Sequence, residues 1–153
     1  MCLVIVDAHL LHDVFNPSCS RDCLPIREAI WGTKIRLVCG GTKLKDEYQQ
    51  SPKIWSMVVA LEKAGKAKLV PDGMVDKEMS NLITNFQLSS DDPHVIALAR
   101  VSGARLLCTL DQGLHCDFRD KNLIAKPRGY VYQRLEHKPL ISKPCAALES
   151  QSL

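Results

Sequence analysis

Hydrophobic residues along the chain form short unbroken runs, which are separated by longer stretches where they recur every three or four positions. Unbroken runs of this kind are typical of strands that are covered on both faces of a sheet. The predicted strands are 2–6, 35–39, 67–70, 105–110 and 130–132, of which the third is also compatible with a turn.

The periodic stretches predict helices between these strands. Asn16-Pro17 should end the first helix, Ser51-Pro52 should interrupt the third, and Gly65 should follow its last turn. Thr42 and Asp92 are the expected N-caps, the latter because Pro93 favours the first helical position. The predicted helices cover 8–15, 21–31, 42–65 with its interruption, 74–86, 93–102 and 112–120.

Strands that alternate with helices predict a parallel α/β sheet. The length of 153 residues fits one domain, which we place at residues 1–142, followed by a flexible tail at 143–153. In parallel sheets, ligands bind beyond the carboxyl ends of the strands. Asp7 and Asp111 each follow a predicted strand, so they should reach one crevice if the two strands are neighbours.

Composition excludes little: apolar residues make up 46% of the chain, charged residues 24%, and the formal net charge is only +3. The seven cysteines are scattered and odd in number, which indicates a reducing compartment rather than a disulfide framework. No signal peptide or membrane-spanning run is present, so we expect a cytoplasmic protein without membrane contact.

Two carboxylates in one crevice repel each other unless one is protonated or a divalent cation lies between them. An oxygen-only ligand set suits Mg²⁺ or Mn²⁺. The alternative is that Asp7 and Asp111 only cap the turns that follow their strands. Asp92 could likewise serve only as a helix cap. The segment Lys-Asp-Glu-Tyr at 45–48 could simply be a solvated helix face, an interpretation that fits Asp46 better than Glu47.

Four segments together resemble the PIN-domain nucleases, a family that includes VapC-like ribonucleases and free-standing PIN proteins. In chain order they are Val-Asp-Ala-His-Leu-Leu (6–11), Asp-Glu-Tyr (46–48), Asp-Asp-Pro-His-Val-Ile-Ala-Leu-Ala (91–99) and Leu-Leu-Cys-Thr-Leu-Asp (106–111). The resemblance covers residues 2–135 and depends on all four segments occurring in register.

This resemblance implies a three-layer α/β/α sandwich around a mostly parallel, roughly five-stranded sheet. It also implies a pocket that binds one or two Mg²⁺ or Mn²⁺ ions and hydrolyses phosphodiester bonds, usually in single-stranded or structured RNA. The acids carried over from the family, as metal ligands and catalytic residues, are Asp7, Glu47, Asp92 and Asp111. Thr109 matches a supporting hydroxyl, Asp117 is a candidate additional acid, and His9 stands where the family often has Asn or Ser and is expected in the pocket wall.

Substrate contact is predicted for a basic segment near the end of the domain. Residues 119–143 contain seven Lys or Arg against two acids, with tyrosines among them that could stack on bases. An ordinary solvated face is the alternative. The candidate RNA-binding residues are Arg119, Lys121, Lys126, Arg128 and Tyr130, and Tyr132 is a further candidate for stacking.

The competing function is a non-catalytic PIN-like module that binds RNA or protein. Retention of all four acids argues against it. A haloacid-dehalogenase-like phosphatase or a response-regulator receiver would need an acidic pair after the first strand, whereas Ala8-His9 follows Asp7. Two settings are open for a nuclease: a toxin with an antitoxin partner, or a free-standing enzyme of RNA processing or defence. A homodimer is compatible with both.

Overall fold

Five parallel strands form a sheet at the centre of the computed structural model, which describes residues 2–142. Their order across the sheet is β3-β2-β1-β4-β5, and every neighbouring pair is parallel. Helices cover the sheet on both sides, so the predicted α/β class and three-layer sandwich are confirmed. The strands are β1 (Cys2–Val6), β2 (Ile35–Gly40), β3 (Ala67–Val70), β4 (Leu106–Cys108) and β5 (Tyr130–Tyr132).

Seven α-helices connect or follow the strands among the described residues, and a 3₁₀-helix at Leu135–Ile141 follows β5. The sequence pattern did not predict this last element, which is short and contains Pro139. The segment 143–153, predicted as a tail, lies outside the described residues. The α-helices are α1 (Ala8–Val14), α2 (Leu24–Trp31), α3 (Thr42–Gln49), α4 (Pro52–Lys63), α5 (Asp72–Asn85), α6 (Pro93–Ser102) and α7 (Gln112–Arg119).

The central strand β1 owes its position to a continuous apolar run. Val4, Ile5 and Val6 are fully buried, because the sheet neighbours and both helical layers cover them. Full burial of each such side chain stabilises the fold by about 1.5–3 kcal/mol relative to exposure. The run therefore favours the middle of the sheet, and the chain leaves the core at Asp7.

The N-terminus of α3 is capped by α5 and not by Thr42, so that prediction is wrong. Gly41 occupies the N-cap position, and Thr42 is the first helical residue. Asp76 accepts hydrogen bonds from the Thr42 backbone N–H at 3.0 Å and from its hydroxyl at 2.6 Å, while Asp72 accepts one from the Gly41 N–H at 3.1 Å. The Asp72 and Asp76 carboxylates thus lie at the positive end of the dipole of α3 and accept from backbone N–H groups that have no partner within the helix.

Replacing Asp76 with alanine is expected to lower the free energy of unfolding at neutral pH by about 1 kcal/mol, the usual cost of losing a helix cap. Hydrogen bonds from Thr42 hold the pKa of Asp76 below its usual value. Because the pKa is lowered in the folded state, this contribution is present at neutral pH and is lost as the pH falls through the lowered pKa. Urea unfolding should therefore show a difference in unfolding free energy between wild type and Asp76→Ala that is smaller at pH 3 than at pH 7. A matched control is Asp46→Ala, an exposed acid later in α3, which should lose no stability.

Cysteine chemistry departs from the prediction at one position: Cys2 is disulfide-bonded. Among the residues that the structure describes, the free cysteines are Cys19, Cys23, Cys39, Cys108 and Cys116. Within residues 2–142, the helices are all too short or too polar to cross a bilayer.

Candidate metal centre at the carboxyl edge of the sheet

Asp7 and Asp111 reach the same edge of the sheet, because β1 and β4 are adjacent and parallel. The fully buried Thr109 connects them. Its hydroxyl donates a hydrogen bond to Asp7 Oδ2 at 2.9 Å and accepts one from the Asp111 backbone N–H at 3.1 Å. The predicted adjacency of the two strands is therefore confirmed, and a single hydroxyl links the Asp7 carboxylate to the Asp111 backbone.

Both aspartates also cap the helices that follow them, as the simpler interpretation of the sequence allowed. Asp7 Oδ1 accepts from the His9 N–H at 3.4 Å, and Asp111 Oδ1 accepts from the Leu114 N–H at 2.9 Å. A carboxylate has about four acceptor sites on its two oxygens. Capping therefore leaves each side chain with lone pairs for a cation.

Glu47 is brought to this edge by the residue that follows it. The Tyr48 ring is buried, and its hydroxyl donates a hydrogen bond to the Val6 carbonyl, immediately before Asp7. This bond holds α3 against the end of β1. Glu47 consequently feels the charge of Asp7, which contributes to the shift of its pKa.

Asp92 occupies the N-cap position of α6, as predicted, but its side chain makes no capping hydrogen bond. Its own backbone N–H donates to the Ser90 hydroxyl at 2.9 Å. The Asp92 carboxylate instead lies 3.7 Å from the ammonium group of Lys43 on α3. An acid at a cap position that does not cap is available for another role.

Asp117 holds the segment before α6 in place. Its two carboxylate oxygens accept from the backbone N–H groups of Ser89 and Ser90, both at 2.9 Å, and it is buried. Gly113 permits this close packing, because a Cβ there would lie 2.7 Å from the Ser89 carbonyl oxygen. Asp117 therefore positions the loop that leads to Asp92, and its two oxygens are directed at that loop.

Three side chains from α3 and α6 converge at this edge: Glu47, Asp92 and His94 each offer one ligand atom, and these atoms lie within 4.8 Å of one another. His94 is only 2% exposed. Its Nε2 lies 2.9 Å from Glu47 Oε1, within ion-pair distance, yet neither of these atoms and neither ring nitrogen of His94 has a hydrogen-bond partner. With His94 uncharged, this short contact is not a charged pair.

The charges of this cluster shift two pKa values in opposite directions. Burial raises the pKa of Glu47, and Asp92 and Asp7 raise it further, while Lys43 partly opposes them. Burial lowers the pKa of His94 to about 4, and Lys43 adds to that shift against the opposing effect of the acids. At neutral pH, His94 is therefore an uncharged imidazole beside a carboxylate that resists ionisation.

This donor set fits a hard or borderline divalent cation. A cation would relieve the repulsion that raises the pKa of Glu47, and it would supply a partner for the buried Oε1 atom. The Asp92 carboxylate does not cap α6 and lies 3.7 Å from Lys43, which leaves it acceptor sites for a cation. Asp7 is close enough to act on both Glu47 and His94 electrostatically. The carboxylates of this set therefore suit Mg²⁺ or Mn²⁺ chemistry.

The candidate RNA-binding residues lie away from this cluster. α7 starts directly after Asp111 and runs back, so Arg119 at its end is about 12 Å away along the helix. Tyr130 pairs with Leu106, at the start of β4, and the Arg128 guanidinium lies 5.6 Å from the Tyr130 ring centroid. Arg119, Lys121, Lys126 and Arg128 are exposed. The sequence grouped these residues, but the fold does not place them beside the acids.

Of the predictions for Tyr132 and His9, the structure decides the first. Tyr132 is fully buried and its hydroxyl donates to the Asp22 carbonyl at 2.5 Å, so the prediction that it could stack on bases is wrong. His9 is exposed beside Asp7 and acts on Glu47 only through its charge. Its place in the pocket wall stays a prediction.

Two site residues were not anticipated: His94 and Lys43. His94 opens a run that is buried from residue 94 to residue 99, and it is the one polar side chain in that run. A histidine inside an apolar helix face, two residues after a candidate ligand, was the available signal. Lys43 lies one helical turn before Glu47, a spacing at which opposite charges meet on one helix face.

No family model matches this sequence, and neither a curated protein nor a solved structure matches it. The resemblance to PIN-domain nucleases therefore depends on the four sequence segments.

Proposed function

We propose that this protein is a metal-dependent phosphodiester hydrolase of the PIN type that cleaves RNA. The observation that carries the proposal is the convergence of Glu47 and Asp92 beside Asp7 at the carboxyl edge of a parallel sheet. Open α/β sheets bind their ligands at this edge. The strand order around β1 agrees with the sandwich that the sequence resemblance implies.

Four acids would hold one or two cations: Asp7, Glu47, Asp92 and Asp111. When bound, Mg²⁺ or Mn²⁺ neutralises the phosphate oxygens and lowers the pKa of water. Hydrolysis joins a water oxygen to phosphorus and breaks the bond to the leaving oxygen, so one proton must leave the water and one must reach the leaving group. Glu47 would orient the attacking water through the carboxylate oxygen that does not bind the cation.

Thr109 and Lys43 have supporting roles in this proposal. The Thr109 hydroxyl donates to Asp7 Oδ2 and thereby fixes the orientation of that carboxylate. Lys43 lies 3.7 Å from Asp92 and reduces the negative potential that an RNA backbone meets. Both roles follow from electrostatics, since a ring of acids repels a phosphodiester.

RNA would extend from the acids towards Tyr130 and the basic residues within 119–128. The exposed cationic side chains of those basic residues attract the phosphate backbone. An antitoxin protein and a second copy of this chain stay predicted partners. A cytoplasmic location is also a proposal: the free cysteines within residues 2–142 favour a reducing compartment, whereas the Cys2 disulfide argues against one.

The test is cleavage of a fluorescently labelled single-stranded RNA, with DNA of the same sequence in parallel. We expect cleavage with Mn²⁺ or Mg²⁺, none with EDTA, and recovery when the cation is restored in excess. RNA binding without cleavage under every cation would support the non-catalytic module instead. Cleavage that persists in EDTA would contradict a metal-dependent site.

A further inference from the structure

The His94 imidazole is a buried polar group without an explanation in the fold. The side chain is 2% exposed, and both ring nitrogens lack a hydrogen-bond partner. Buried polar groups in folded proteins nearly always have a partner, so an orphaned one needs a specific cause. Here the orphaned ring belongs to the first turn of α6 and faces Glu47 from α3.

The positions of the three converging atoms fit shared coordination better than pairwise bonding. His94 Nε2 is 2.9 Å from Glu47 Oε1, and neighbouring ligand atoms on one six-coordinate ion are about 3 Å apart. The Asp92 oxygen belongs to the same group, within 4.8 Å of the other two atoms. Glu47 Oε1 also lacks a hydrogen-bond partner, so two buried atoms without hydrogen-bond partners lie side by side.

We infer that His94 binds the cation through Nε2 together with Glu47 and Asp92, and that it makes the site select Mn²⁺ over Mg²⁺. Mg²⁺ prefers oxygen ligands and retains its water, whereas imidazole is a ligand of first-row transition metals. A site with one nitrogen and several carboxylate oxygens therefore disfavours Mg²⁺. This inference rests on the metal site of the proposed function but does not require RNA cleavage.

The alternative role for His94 is structural: it fills space and orients Glu47. A positioning residue would change the affinity for both cations alike, because it would act only through the carboxylate. A ligand nitrogen changes the affinity for Mn²⁺ more than that for Mg²⁺. The selectivity ratio therefore separates the two roles, and total affinity does not.

The experiment measures binding of Mn²⁺ alone and of Mg²⁺ alone to the full chain by titration calorimetry, without RNA. In His94→Gln we expect the Mn²⁺ affinity to fall at least tenfold while the Mg²⁺ affinity changes less than threefold. His9→Gln is the matched control, since His9 is the exposed histidine beside Asp7, and its selectivity ratio should equal that of wild type. An equal loss for both cations in His94→Gln would overturn the inference.

Pulsed electron paramagnetic resonance of bound Mn²⁺ gives a second measurement that needs no variant. A coordinated imidazole nitrogen should modulate the Mn²⁺ signal of the wild-type protein and of His9→Gln, and the modulation should vanish in His94→Gln. Bound Mn²⁺ without nitrogen modulation in wild type overturns the inference even if His94→Gln does not fold. Loss of the modulation in His9→Gln also overturns it. Nitrogen-coordinated Mn²⁺ in a protein that leaves RNA intact would support this inference and refute the nuclease.

Discussion

Asp7→Asn is expected to lower the rate of RNA cleavage by more than a hundredfold, since loss of residues that merely support a metal ligand already costs about 10–100-fold. The substitution removes the charge that a hard cation needs while it keeps the size of the side chain. The asparagine carbonyl can still accept from the His9 N–H, and its amide can donate to the Thr109 hydroxyl oxygen. The fold should therefore persist.

The thermal stability of the metal-free protein provides an independent measure of the effect of the Asp7 charge. Removing one of several neighbouring negative charges relieves repulsion with Glu47, whose raised pKa reports that repulsion. The melting temperature of Asp7→Asn in EDTA should thus equal or exceed that of wild type, and Mn²⁺ should raise it less. Circular dichroism melting with and without Mn²⁺ measures both effects.

Asp46→Asn is the matched control for this experiment. Asp46 is an exposed acid next to Glu47 on α3, and its loss should leave the cleavage rate and the Mn²⁺-induced stabilisation unchanged. Full cleavage by Asp7→Asn, in a preparation where the activity follows the protein through two purification steps, would show that the site lies elsewhere.

The acids at the strand ends were predictable because the rule behind them is local. An unbroken apolar run predicts a strand covered on both faces, and the residue after it must leave the sheet at the carboxyl edge. Asp7 and Asp111 required only the further assumption that their strands are neighbours. The register of β1 with β4 confirms that assumption.

Residues whose position depends on distant partners were harder to predict. The position of Glu47 depends on the hydrogen bond from the Tyr48 hydroxyl to Val6, 42 residues earlier in the chain. The cap of α3 comes from Asp76, 34 residues after Thr42. Thr42 matched the local capping rule, but the rule does not include a carboxylate supplied by another helix.

Proximity in sequence was a poor guide to the partners of residues in α7. Asp117 follows Asp111 by six residues, yet its partners are the Ser89 and Ser90 amides, which approach α7 only in the folded chain. Arg119 is close to Asp111 in sequence, yet it lies at the far end of α7 from that acid. A helix of eight residues is long enough to separate two residues that the sequence groups together.

Replacing Asp92 should likewise lower the cleavage rate by more than about a hundredfold, because losing a residue that only supports a metal ligand already costs up to about that much. The free energy of unfolding should hardly change. The sequence alone predicts that Asp92→Ala also loses about 0.5–2 kcal/mol, the cost of removing a helix N-cap. The structure predicts otherwise, because the Asp92 side chain makes no capping hydrogen bond. Asp92→Asn and Asp92→Ala should therefore unfold at nearly the same urea concentration as wild type.

Asp91→Asn tests the register of this assignment, since Asp91 is the exposed acid immediately before Asp92. It should retain both activity and stability, as it lies outside the group formed by Glu47, Asp92 and His94. Cleavage rates and urea unfolding of Asp91→Asn, Asp92→Asn and Asp92→Ala thus separate the metal-binding role of the Asp92 carboxylate from a capping role. A loss of more than 1 kcal/mol in Asp92→Ala but not in Asp92→Asn, about the size of a cap, would show that the side chain does cap α6 in solution. If Asp91→Asn is inactive and Asp92→Asn is active, the cation is held by the residue before the cap, and the role assigned to Asp92 is wrong.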